Sequence, residues 1–120
     1  MENSIETKSF RFAVRIVKVC AFLRENKKEY ILSKQLLRAG TSVGANVAEA
    51  QQAQSRADFI SKLSIALKEA VETNYWLRLL NETEYLTEPV SLSLISDCRE
   101  LEKMLTAIIK TARSGATTDT

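Results

Sequence analysis

The chain contains no histidine. That removes the commonest general base and the commonest metal ligand at once, and with it the Glu-x-x-His pairs of a di-metal carboxylate bundle. Cysteine is scarce as well. Cys20 and Cys98 make no CxxC pair and fall short of the four ligands of a structural zinc site. No cofactor or metal is therefore expected. Both cysteines sit inside apolar helical patterns and read as buried thiols of a reducing compartment. Glycine (3) and proline (1) are nearly absent from the 120 residues, which favours long unbroken helices over many short strands. No apolar run approaches the about 18 residues that suggest a spanning helix, so no membrane association is expected. The N-terminus carries acidic residues and has no cleavage-site pattern of a secretory signal.

What is present is a single-domain quantity of apolar sequence, 45% of residues. The net charge is +2, too small to imply a partner, but it is unevenly spread. Residues 1–28 are basic on balance and residues 84–120 mildly acidic.

The periodicity predicts four helices, over about 4–24, 32–52, 56–81 and 88–113, and a flexible polar tail over 114–120. In the first helix Phe10, Phe12, Ala13, Val14, Ile16, Val17, Val19, Cys20, Ala21 and Leu23 cover an arc of roughly 220° on a helical wheel. That is about twice what one core needs. The helix is expected to be buried on two sides, one in its own bundle and one against a second copy. The remaining arc holds Lys8, Arg11, Arg15 and Lys18, a basic stripe suited either to solvent or to a phosphate backbone.

The second helix holds a run of small residues around Gly40, Thr41, Ser42, Gly44 and Ala45, read as a site of close helix approach. A phosphate-cradling loop would need a preceding strand and a glycine-rich pattern that is missing. Ser55 and Asp58 form a capping-box variant ahead of the third helix. There Phe59, Leu63, Ala66, Ala70, Thr73, Leu77 and Leu80 form a heptad seam. Pro89 suits the first turn of the fourth helix, where Leu94, Cys98, Leu101, Leu105, Ile108 and Ala112 form another. Short connections make these helices antiparallel neighbours in an all-α up-down bundle. The breaks near Lys28 and Ser55 weigh against the rival, a single long coiled-coil hairpin.

If the second and third helices form a hairpin about Ala53, Arg38 lies level with Glu69, and Gln35 with Glu72. An ion pair from Arg38 to Glu69 or Glu72 follows. The same pairing is the ordinary fate of the carboxylates Glu49, Glu69 and Glu72, which together with Asn46 are the only candidates for acid–base chemistry. Catalysis is not expected from them.

The segment Ser33 to Leu86 resembles the bacterial 23S ribosomal RNA intervening-sequence proteins. The resemblance is carried by Gln35-Leu36, Arg38-Ala39, Ser42, Asn46-Val47-Ala48-Glu49, Asp58-Phe59-Ile60, Ala66-Leu67-Lys68-Glu69-Ala70, Glu72-Thr73 and Tyr75-Trp76-Leu77. Ala50 departs from the glycine usual there. The resemblance implies a cytoplasmic four-helix bundle assembled as a homopentameric ring, of undetermined molecular role. It makes Arg38, Asn46, Glu49, Glu69, Glu72 and Trp76 motif residues, assigned first to bundle or interface structure. A relative, the accessory variability determinant of diversity-generating retroelements, is a pentameric bundle that binds a reverse transcriptase and nucleic acid. Three functions are thus open: an oligomeric scaffold associated with RNA or DNA, an adaptor for a protein partner, and, least supported, an enzyme.

Overall fold

The computed structural model describes residues 3–115. Four α-helices account for nearly all of them: α1 (Ile5–Lys27), α2 (Leu32–Ala50), α3 (Arg56–Glu82) and α4 (Glu88–Ser114). No strand occurs among the described residues. From residue 116 on, the expected tail lies outside them. Each helix packs on its neighbours in chain order and α4 returns to α1, more lightly, while the diagonal pairs stay apart. The result is a rod of 51 × 23 × 22 Å.

The helix ends follow from local hydrogen bonding. The Ser4 Oγ accepts from the Thr7 N–H and starts α1. Lys28, in the left-handed conformation at φ 55°, ends it by donating its N–H to the Leu23 carbonyl. α1 therefore runs three residues past its expected end at about residue 24, into the polar stretch 25–29. The last residue of that stretch has a separate task. The Glu29 side chain is buried, and its carboxylate accepts from the N–H groups of Ile31 (3.1 Å), Leu32 (2.9 Å) and Ser33 (2.7 Å). Ile31 itself cannot cap α2, so Glu29 reaches over it to satisfy the free donors and complement the positive helix end. At α3 Ser55 caps the Asp58 N–H as the capping box predicts. The return bond differs, because Asp58 accepts from the Gln54 N–H.

The core takes one stripe from each helix. Phe12, Ile16, Cys20 and Leu23 of α1 meet Leu36, Val43 and Val47 of α2, together with the heptad seams of α3 and α4. In α4 the seam runs through Ile109 to the buried Ala112, with Ile108 only half-buried beside it. The two helical glycines of α2 mark where α1 crosses closest. A Cβ on Gly40 would lie 2.8 Å from the Ile16 side chain, and one on Gly44 would lie 3.2 Å from the Ser9 carbonyl oxygen. The gain in helix propensity from alanine, about 1 kcal/mol, is offset at Gly40 by that clash.

Cys20 donates weakly to the Ser33 carbonyl and Cys98 to that of Ala70. Burial pushes the Cys20 thiol up to about 11, with Glu29 adding to the rise and Arg24 opposing it. Burial pushes Cys98 up to about 12, helped by Glu102. Both are structural, unreactive thiols.

Replacing Glu29 by alanine leaves the N–H groups of Ile31, Leu32 and Ser33 without their carboxylate acceptor, the last of them buried. A loss of about 1–3 kcal/mol is expected, read as a lower urea midpoint at unchanged slope.

Candidate functional site

Three arrangements hold the residues that sequence reasoning singled out. The first lies on the α2–α3 seam. Arg38 donates to Glu69 (3.2 Å) and to Glu72, and the Trp76 Nε1–H donates to the same Glu72 oxygen at 3.0 Å. The hairpin register anticipated these partners. Tyr75 packs edge-on against Trp76, ring centroids 5.1 Å apart. The indole N–H and then the guanidinium hold the Glu72 carboxyl below its ordinary range, against a smaller opposing effect of desolvation. Asn46 does not join the cluster, because its amide donates to the Ser42 carbonyl one turn back. Glu49 reaches Lys62 at 3.3 Å, a partner the sequence did not suggest. A carboxyl group acting as a general acid must keep its proton near working pH. Arg38 and Trp76 act on Glu72 in the opposite direction.

The second arrangement is the basic flank of α1. Lys8 pairs with Glu100 at 2.8 Å. Arg15 pairs with Asp97 at 2.6 Å and donates to the Ser93 hydroxyl at 3.0 Å. These cations clasp α1 to α4 where the two helices pack most lightly. Arg11 and Lys18 stand exposed beside them. No short connection sets the register of α1 against α4, so the step that located the partners of Arg38 was not open to Lys8 and Arg15.

The third arrangement is apolar. Phe10 (69% exposed), Val14 (39%) and Val17 (50%) lie on α1 with Ala21 at alternating four- and three-residue steps. This is a second heptad stripe, turned away from the core. At the other end of α1 lies a hollow of about 680 Å³, lined by Phe22, Tyr85 and Val90 and rimmed by Glu82, Glu84 and Glu88. Lys27 stands on the same rim. Nothing in the sequence pointed to this hollow, because its walls come from α1, the end of α3, the α3–α4 connection and the start of α4.

Among the described residues no three His, Cys, Asp or Glu side chains converge as a metal site requires. No helix there is long and apolar enough to cross a membrane.

Residues 1–107 match the family described as the 23S rRNA-intervening sequence protein. The chain belongs to this family. Its fold is also that of a Bacteroides thetaiotaomicron VPI-5482 protein of unknown function from the S23 ribosomal protein family, solved at 1.70 Å resolution. The two share 57% identity at a TM-score of 0.89, over 90% of this chain and 100% of that one. No curated protein matches the chain. The resemblance read from residues 33–86 thus extends through most of α4, and the family's motif residues fall mainly on one seam, α2–α3.

Removing the cation of that seam tests its weight. Arg38→Met should cost less than about 1 kcal/mol at pH 7, since the pair is partly solvated. The Glu72 carboxyl is lowered in the folded state, so its stabilisation is present above the ordinary carboxylate pKa and fades as pH falls through the lower folded value. Urea midpoints of wild type and variant should therefore differ at pH 7 and draw together as pH falls below the ordinary carboxylate range.

Proposed function

We propose that the chain is a non-catalytic, self-assembling scaffold, an antiparallel up-down bundle whose copies close into a ring in the cytoplasm. The single observation that carries this reading is the outward heptad stripe of α1. Each of its large side chains would gain on the order of 1 kcal/mol or more from burial, and a heptad stripe is the form in which one helix presents itself to another. The antiparallel arrangement is supported by the order of the cross-helix pairs. Arg38 meets Glu69 and Glu72, while Glu49, further along α2, meets Lys62, earlier in α3. Lys8 and Arg15 meet Glu100 and Asp97 in the same reversed order. The five-fold ring is the form the family likeness suggests. Two unpaired buried thiols suit a reducing compartment.

The scaffold reading is preferred to nucleic-acid association because Lys8 and Arg15 already hold carboxylates of α4. A duplex would have to displace those pairs to gain its phosphate contacts. A non-catalytic role is supported by the carboxylates Glu49, Glu69 and Glu72, each engaged by a cation.

Light scattering in dilute buffer should give a multiple of 13.5 kDa, five-fold for the ring. A stable 13.5 kDa species would overturn the reading. Filter binding of RNA and DNA by the assembled protein should be weak and nearly flat across a salt series. A steep log–log salt dependence would restore the nucleic-acid alternative.

A further inference from the structure

We propose that the hollow beside the α3–α4 connection binds a small organic cation, an ammonium or guanidinium group carried on an apolar body. Its shape comes from the way α3 ends. Glu84 takes the left-handed conformation at φ 65°, and the Tyr85 N–H donates back to the Leu80 carbonyl at 3.0 Å. The chain turns there, so that Leu86 enters the core while Tyr85 stands half-buried in the wall of the hollow. Pro89 then opens α4, and Val90, one residue on, joins the wall. Phe22 comes from α1. Helical or hydrogen-bonded backbone thus holds each apolar wall, and the space exists before any ligand arrives.

Size points to a small molecule. The hollow offers about 680 Å³, within the roughly 300–1,000 Å³ of ligand pockets. Eleven residues line it, against the about 20–30 that each side of a standard protein interface contributes. Its apolar walls are wet, since Phe22 and Val90 are each 41% exposed, so a hydrocarbon body seated there would leave water together with them. Phe22 and Tyr85 also set two aromatic rings beside the space, and an aromatic face attracts a cation.

Charge decides the sign of the ligand. Elsewhere on the helices Glu49 is matched by Lys62, Glu69 and Glu72 by Arg38, Asp97 by Arg15 and Glu100 by Lys8. The rim carboxylates Glu82, Glu84 and Glu88 are exposed and have no ion-pair partner among the described residues. Lys27, on the same rim, reaches none of them. A concave, low-dielectric surface edged by one sign of charge concentrates the opposite sign and repels its own. Glu84 adds to the argument, because glycine would adopt its left-handed backbone at less cost. Apolar walls alone would suit a neutral hydrocarbon, and an acidic edge alone a fully solvated cation. The two together select a molecule that has both parts.

The test titrates phenethylammonium, phenethyl alcohol and phenylpropionate, similar bodies with three different charges, into the full chain in its native state of association. Calorimetry gives affinity and amide chemical shifts give the place. Phenethylammonium should bind, with shifts gathered at Val19, Phe22, Tyr85 and Val90. The alcohol should bind about ten-fold more weakly, and the carboxylate more weakly still. E82Q/E84Q/E88Q, with circular dichroism confirming its fold, should bring the ammonium down to the affinity of the alcohol and leave that of the alcohol unchanged. Spermidine, which has charge without a comparable apolar body, should leave the wall amides unmoved. Silence of those amides at millimolar phenethylammonium, shifts centred on another surface, equal binding of ammonium and alcohol by the wild type, or equal binding of spermidine would each overturn the site. The scaffold reading is decided by mass in solution, so failure of this site leaves it in place.

Discussion

The close crossing of α1 over α2 governs the surface that this protein presents. Ile16 lies on Gly40 and the Ser9 carbonyl on Gly44, so a Cβ at Gly40 would clash with Ile16 and one at Gly44 would crowd the α1 backbone. That contact fixes the rotation of α1 about its own axis. With Phe12, Ile16, Cys20 and Leu23 turned inward, Phe10, Val14 and Val17 have nowhere to go but out. Pairing of Lys8 and Arg15 with α4 holds the other flank of the helix. The outward apolar stripe is thus a consequence of how α1 is clamped on two sides.

Much of this was legible in the sequence, for a physical reason. Helices are local structures whose buried face repeats every three or four residues, and four seams of this kind are written plainly in the chain. The α1 wheel already held more apolar arc than one core can cover. Even a cross-helix pair, Arg38 with Glu69 and Glu72, was reachable, because one short connection fixes the register of α2 against α3. Contacts between α1 and α4 were not. They join the two ends of the chain, where no connection sets a register, so the stripe of Lys8 and Arg15 read as open when acids of α4 occupy it. The Glu29 cap was hidden differently. A glutamate in a charged run looks solvated, and only the folded turn shows its carboxylate buried over the first N–H groups of α2.

The same distinction separates the two candidate surfaces. The α2–α3 cluster is polar and saturated: each carboxylate has a cation or an indole N–H, and Asn46 is satisfied within its own helix. It can set the register of two helices, and a surface of that kind gains little from a further partner. The stripe and the hollow are unsaturated in the sense that matters to the hydrophobic effect, since both hold large apolar side chains in water. Association is driven from such places, while ion pairs choose among the possible partners.

Charge and apolar area therefore divide the work between them. A net charge of +2 gives the chain almost no long-range field with which to attract or repel another copy. Recognition must come from local patterns, within about a Debye length. The acids beside the α3–α4 connection are such a pattern, and the internal pairs Lys8–Glu100 and Arg15–Asp97 are the same preference expressed within one chain. Lys8 and Arg15 find their acids on α4, so what α1 leaves in water is mainly apolar, the heptad face of Phe10, Val14 and Val17.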